Sequence, residues 1–291
     1  MKQKIKITKI DILLIILILF FIWLFFYRVN KYLNYQWQWK SIFQYFFVVE
    51  DGKIGANVLS IGILNTIKIS VYSIILSTII GFIMGIFKST KNLFFRLIGV
   101  MYVESIRNIP SIVVIFVVYY FLGDQIITVL KLDNFFITLD DKYNILLNFF
   151  LVPKDKISIF LIGIIALSLY EGAYITEIVR GAIKSIDKGQ IDASKSLGLN
   201  KWQRLRYIVF PQALPLIIPP LTGQMVSTIK DSAILSVISI PELTFQGMEL
   251  MASTYLIFET WIIITVIYLV LNIILSHVSG YLEMRLKSYR T

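Results

Sequence analysis

Six apolar runs, each long enough to cross a bilayer as a helix, constrain this chain more than any other feature. A hydrocarbon core about 30 Å thick takes about 20 helical residues. Helix is favoured there because lipid offers no partner to free backbone groups. The runs are 10–27, 59–87, 97–122, 157–180, 211–236 and 255–282. Of the 291 residues, 57% are hydrophobic and 16% charged, against about 45–50% and about 25% in soluble domains. An ordinary cytosolic enzyme, a secreted disulfide scaffold and a disordered tail are thereby excluded. Cysteine is absent, which removes disulfides, thiolate nucleophiles and Cys-based metal sites. The one histidine, His277, stands near the end of the last run and reads as structural or interfacial; no metal site is expected. The expected fold class is all-α, a polytopic membrane protein with about six transmembrane helices.

Lysine and arginine set the orientation. With the N-terminus in the cytosol, 17 of the 28 fall in cytosolic pieces and eight on the opposite side. Both termini are therefore expected inside, in a multi-pass protein of the inner (cytoplasmic) membrane. The same bias explains the net charge of +10 through anionic lipid headgroups rather than nucleic acid. The first run follows Lys2, Lys4, Lys6 and Lys9, as in a signal peptide. Arg28-Val29-Asn30-Lys31 follows it, with no small-residue cleavage site, so a retained anchor is expected. Residues 1–57 read as an extra helix plus an outer segment, and 58–287 as the main domain. Gly81 and Gly85 form a small-xxx-small pattern, either a close helix contact or chance glycine usage. Segment 123–156, with Asp124, Asp133, Asp140 and Asp141 set against lysines, reads as a short outer helix or loop.

The longest cytosolic piece, 181–210, has two helical runs around Gly198. Ser185 or Asp187 is placed to cap the first, over about 188–197, and Asn200 the second. Glycine after a helix is the usual left-handed C′ residue. Trp202, Leu205 and Ile208 or Val209 recur at helical spacing, and Pro211 opens the fifth run. Such a hairpin suits a groove on a cytosolic partner; an amphipathic hairpin on lipid headgroups is the other reading.

Asp192-Ala193-Ser194, three residues, Gly198, nine residues and Ile208-Val209-Phe210-Pro211 resemble the EAA loop of ABC-importer permeases, E-A-A-x3-G-x9-I-x-L-P. Asp192, Ser194 and Phe210 depart from it. The stretch Tyr102 to Pro110 resembles the Y-x-E-x-x-R-x-x-P of polar amino-acid permeases, and Gly172 to Gly181 their G-A-Y-x-x-E-I-x-R-G. Lys188-Gly189-Gln190, Pro211 to Pro215, Pro219-Pro220-Leu221, Lys230-Asp231-Ser232 and Pro241 to Thr244 continue the ordered run. The resemblance covers about 58–287. It implies a transmembrane permease subunit of a type I, binding-protein-dependent ABC importer moving polar L-amino acids into the cytoplasm. It implies two ABC ATPase subunits docked on loop 181–210, an extracytoplasmic amino-acid-binding protein, and a second permease copy or homologue. The coupling residues it implies are Lys188, Gly189, Asp192, Ala193, Ser194, Gly198, Trp202, Ile208 and Pro211. Which amino acid is carried is not legible in the sequence.

No nucleotide site is found. Gly81 to Thr90 fails the G-x4-G-K-[ST] spacing of a phosphate loop, so ATP and Mg belong on a partner and this chain binds no cofactor. A hydrolase motif with a paired histidine is also lacking, so the chain is not expected to be an enzyme. Ionisable groups inside spans cost about 2.5–3.5 kcal/mol each on insertion scales and mark cavities or partners. Glu104 and Arg107 are three apart and placed to pair, as a structural ion pair near the ATPase docking region, with Pro110 able to kink the helix after them. Glu171, one turn before Tyr174, stands where the family resemblance leads one to expect an uncharged polar residue. It is set either to meet the substrate ammonium or to pair with a lysine of a neighbouring helix. Gln224, Thr228 and Asp231 form a stripe at i, i+4, i+7, with Ser227 and Lys230 beside it. Prolines 211, 215, 219 and 220 precede it. Proline-broken helices line cavities, so this span is expected to line the pathway; ordinary interhelical hydrogen bonding is the other reading. Lys68 reads as a stem that snorkels to the outer surface. An ion-coupled secondary carrier using Glu171 and Lys230–Asp231 is the competing class.

Overall fold

Prolines, caps and left-handed residues decide where the apolar runs become helices. The computed structural model describes residues 9–33, 35–50, 52–139, 142 and 144–287. Lys2, Lys4, Lys6, Asp140, Asp141 and Arg290 lie outside the described residues. The chain divides into two units, Met1–Phe43 and Gln44–Thr291. In the first, α1 (Lys9–Leu33) is followed by the single turn α2 (Trp39–Ile42). The apolar stretch of α1 has no buried residues.

The second unit opens with a hairpin that the all-helical expectation did not include, β1 (Phe47–Glu50) and β2 (Lys53–Ala56). The strands are antiparallel, with Val48 opposite Gly55. Gly52 in the connection has φ +73°, a conformation that costs glycine little. Asn57 caps α3 (Val58–Ser89), accepting from the Val58 N–H, and donates to the Gln44 carbonyl at 2.8 Å. Ser60 donates to Phe46 O at 2.6 Å. These bonds tie the hairpin to the bundle. The hairpin thus belongs with the second unit, Gln44–Thr291.

The third run differs from expectation. Residues 97–122 are not one helix: α4 (Leu93–Arg107) stops, and α5 (Ser111–Val117) starts after Pro110. Proline lacks an N–H and pushes the residue before it out of the helical region. A π-helical turn, Val118–Gly123, leads into α6 (Asp124–Leu130), so the apolar crossing stretch is Ser111–Leu130. Lys131, at φ 49°, separates α6 from α7 (Leu132–Ile137); α8 (Asn144–Phe150) precedes α9 (Ile157–Lys184). The coupling segment holds α10 (Lys188–Ser196) and α11 (Lys201–Arg204), followed by α12 (Phe210–Asp231), α13 (Leu243–Thr254) and α14 (Ile257–Lys287).

Among the described residues, five stretches are long and apolar enough to cross a membrane: α1, α3, Ser111–Leu130, the stretch ending in α9, and α14. The expected fifth crossing is α12. With 22 residues it is about 33 Å long, but its internal prolines and Lys230-Asp231 keep it from matching the others in apolarity.

The bundle centres on α3 and α9, which run parallel. Ser73 Oγ reaches Ile164 O and Ser168 Oγ reaches Ser73 O. Further along, a Cβ on Gly81 would lie 2.6 Å from Ile175 Cβ, and one on Gly85 2.6 Å from Val179 Cβ. The two glycines therefore make the close helix contact, and chance usage is excluded. Ile69, Ile115, Phe160, Leu167, Leu235 and Ile240 fill the centre.

Candidate functional site

The coupling hairpin is held by local caps. Asp187 accepts from the Gly189 N–H, and α10 runs from Lys188. Gly198 has φ +74°. Its N–H bonds Lys195 O at 2.9 Å, and the Leu199 N–H bonds Ser194 O at 3.1 Å. This pair of bonds is the Schellman closure of a helix C-terminus. Asn200 and Gln203 then form a reciprocal capping box on α11. Ser194, the departure from alanine, is buried and its hydroxyl donates to Ile191 O. Lys195 pairs with Asp192 and holds its carboxyl below the ordinary range. That pairing is present at neutral pH and is lost as pH falls through the lowered value.

The second helix leads into the membrane span at Pro211 without a break. A π-helical turn, Leu205–Val209, carries the helix from α11 into α12, with the Phe210 N–H reaching Leu205 O. The wider turn makes room for the proline ring without ending the helix. Val209 packs inward with Ile186 and Ala213, and Ile208 is half-buried. Lys188, Gly189, Asp192 and Ala193 stay exposed. Trp202 is 66% exposed and Leu197 77%. Leu197, just before Gly198, was missed in the sequence. Its only sequence signal is an apolar residue at the tip of a polar turn.

Farther along the same seam between α9 and α12, Glu171 is fully buried. Its Oε2 accepts from Gln224 Nε2 at 2.5 Å, while its Oε1 has no hydrogen-bond partner. Thr228 and Asp231 of α12 bear on the same carboxyl group. The i, i+4, i+7 stripe is thus gathered on Glu171. Its nearest polar neighbour is an amide, so the expected alternative of a lysine partner does not hold. Ser227 flanks the stripe, half-buried, and Lys230 is exposed away from it. Tyr174 hydrogen-bonds Tyr170 through the two hydroxyls at 3.2 Å.

Glu104 and Arg107 do not pair with each other. Glu104 is met by Lys88 at 3.5 Å and by the Asn108 amide at 3.0 Å. The Arg107 guanidinium lies 5.2 Å from the centroid of the Tyr174 ring, a cation–π contact. Three-residue spacing permits a pair, but the ring and Lys88 compete for the two charges. Lys88 also bonds Glu177 at 2.5 Å, and Glu177 bonds Arg180 at 2.5 Å. This cluster ties α3, α4 and α9 together at one end of the bundle. Lys88 was not legible as a member, because its partner Glu177 is 89 residues away. A Glu177→Gln variant keeps the shape and loses the charge. Hydrogen bonds to charged groups contribute about 1 kcal/mol more than neutral ones, so a stability loss of about that size is expected in thermal unfolding of the detergent-solubilised protein. An unchanged Tm counts against the cluster.

Residues 77–288 match the family model described as "binding-protein-dependent transport system inner membrane component". A probable glutamine ABC transporter permease protein, GlnM of Bacillus subtilis (strain 168), is 33% identical over 229 residues, 78% of this chain and 93% of that protein. The glutamine transport system permease protein GlnP of Escherichia coli (strain K12) is 31% identical over 222 residues, 76% and 90%. The crystal structure of an amino acid ABC transporter with histidines matches at TM-score 0.65 and 26% identity, covering 86% of this chain and all of that one. The inward-facing MetNI methionine ABC transporter, at TM-score 0.58 and 17% identity, shares the fold. The region matched by the family model takes in the later part of α3 with Gly81 and Gly85, the broken third span, α9, the coupling hairpin and α12. This chain belongs to the family of binding-protein-dependent transport system inner membrane components.

Proposed function

We propose that this permease is the membrane half of an ATP-driven importer of polar L-amino acids, with both termini in the cytosol. The ATPase subunits, which bind the ATP and Mg, would grip the hairpin at Leu197 and Trp202. A second permease copy or homologue would close the pathway, and an external amino-acid-binding protein would deliver the substrate. The observation that carries the reading is the buried Glu171 carboxylate with one oxygen unpartnered, facing Asp231. A zwitterion needs a receptor for each charge. Glu171 and Asp231 would take the ammonium. Arg107, exposed at the break after α4 and held over Tyr174, would take the carboxylate. Glu171 is closed off, so α12 must move to admit substrate. Pro215, Pro219 and Pro220 leave carbonyls unbonded within it, and there it can bend. ATP binding would drive that motion only by favouring one state over the other.

The test begins with purification of the chain in mild detergent and identification of what co-elutes. An ABC ATPase is expected. Trp202→Ala is expected to weaken its retention about tenfold, the loss of about 1.4 kcal/mol from an exposed aromatic anchor. Full retention by Trp202→Ala and Leu197→Ala together overturns the docking assignment.

A further inference from the structure

The outer segment between α6 and α9 is apolar on two sides. Toward the bundle, Phe136 of α7, Leu147 of α8 and Leu151 pack on the central cluster. Away from it, Phe135, Ile137, Phe149 and Phe150 are exposed, Phe149 at 71%. A segment standing in water would carry polar residues on that second side.

Its depth follows from the two long helices. Lys88 of α3 and Glu177 of α9 are bonded, so they mark one level, near the charges of Lys91, Arg96 and Arg180. Moving about 30 Å from Lys88 toward the start of α3, one hydrocarbon thickness, reaches Lys68. Lys68 Nζ donates to Asn148 O at 2.7 Å and to Leu151 O at 2.6 Å, at the end of α8. Tyr72, one turn deeper, raises its hydroxyl to Phe150 O at 2.7 Å. A lysine ammonium and a tyrosine hydroxyl, each with its apolar stem in the bundle, mark a membrane–water boundary. The end of α8 is bonded to both.

We propose that α7 and α8 lie in the headgroup–hydrocarbon boundary of the leaflet opposite the coupling hairpin. Phe135, Ile137, Phe149 and Phe150 insert into its lipid. The exposed charges around them, Lys131, Asp133, Asp155 and Lys156, are of mixed sign, as suits a headgroup layer. Short interfacial helices bury apolar side chains to about 5–10 Å in this way. The segment is a flange that fixes the height of α3 and α9 in the bilayer.

The chain has no cysteine, so one substitution places one label. Phe135→Cys and Phe149→Cys, each nitroxide-labelled in the full chain, are reconstituted in phosphatidylethanolamine–phosphatidylglycerol vesicles. Accessibility to oxygen, which concentrates in hydrocarbon, is compared with accessibility to a water-soluble nickel chelate. References are Ile16→Cys in the exposed α1 and Lys195→Cys on α10. The expected result is an oxygen-over-nickel ratio on the same side of unity as Ile16→Cys at both positions. A ratio on the Lys195→Cys side places the segment in water and overturns the proposal. Low accessibility to both reagents means that a second copy or an external protein covers it, and overturns it equally.

Discussion

Putting alanine at both Gly81 and Gly85 is expected to destabilise the permease by about 3 kcal/mol. Each new methyl would meet the β-carbon of a β-branched residue, Ile175 or Val179, at 2.6 Å. Such residues hold one χ1 rotamer in a helix and have little room to yield. Each overpacked methyl costs about 1–3 kcal/mol. The sites are one turn apart, so the two costs do not simply add. Gly181→Ala is the internal control: it lies in the same helix as Val179, and nothing stands within 4 Å of a β-carbon there. That exchange should gain about 0.8–1.0 kcal/mol from helix propensity. Thermal unfolding in detergent measures both. Equal Tm values for the double variant and the parent would mean that α3 and α9 do not pack through these glycines.

Glu171→Gln is expected to weaken amino-acid uptake by roughly 10- to 100-fold. A hydrogen bond to a charged group is worth about 1.5–3 kcal/mol, and each 1.4 kcal/mol is a factor of ten. The amide keeps the shape and still meets Gln224, so folding should survive. An exchange of the same shape that keeps the bond to Gln224 should leave Tm nearly unchanged. This separates a recognition role from a structural one. Uptake of lysine, arginine, glutamine and glutamate by reconstituted vesicles is the measurement. Parental rate and selectivity, with a lowered Tm, would assign Glu171 to packing instead. The companion Asp231→Asn should act in the same direction if the two carboxyl groups serve one ammonium.

The coupling hairpin was legible because its determinants are local. The bonds made at Asp187, Gly198, Asn200 and Gln203 each span five residues or fewer, and each residue type is read directly against its position. The polar stripe of Gln224, Thr228 and Asp231 was legible from helical spacing, and it does converge on Glu171. The pairing of Glu104 with Arg107 was misread for the opposite reason. Spacing shows which contacts are possible on one helix, and other helices supply the competitors, here Lys88 and Tyr174. The third span breaks at Pro110 where a kink within 97–122 was expected, because apolarity was weighed above the proline. Hydropathy records what lipid tolerates, while the backbone N–H decides where a helix breaks. Membership of a binding-protein-dependent family sets the chain apart from ion-coupled carriers, which polar residues in spans alone did not do.

What the sequence determined by itself was the solvent of this protein and its short-range geometry. Apolar runs of bilayer length make water an impossible surrounding, and caps within one turn need no distant partner. Which faces of the helices meet was decided only in the tertiary structure. The bond from Lys88 to Glu177, the seating of Gly85 on Val179 and the anchoring of α8 by Lys68 each join residues about 80 to 94 positions apart. Contacts at that separation depend on how several helices pack at once, and no local pattern encodes their sum.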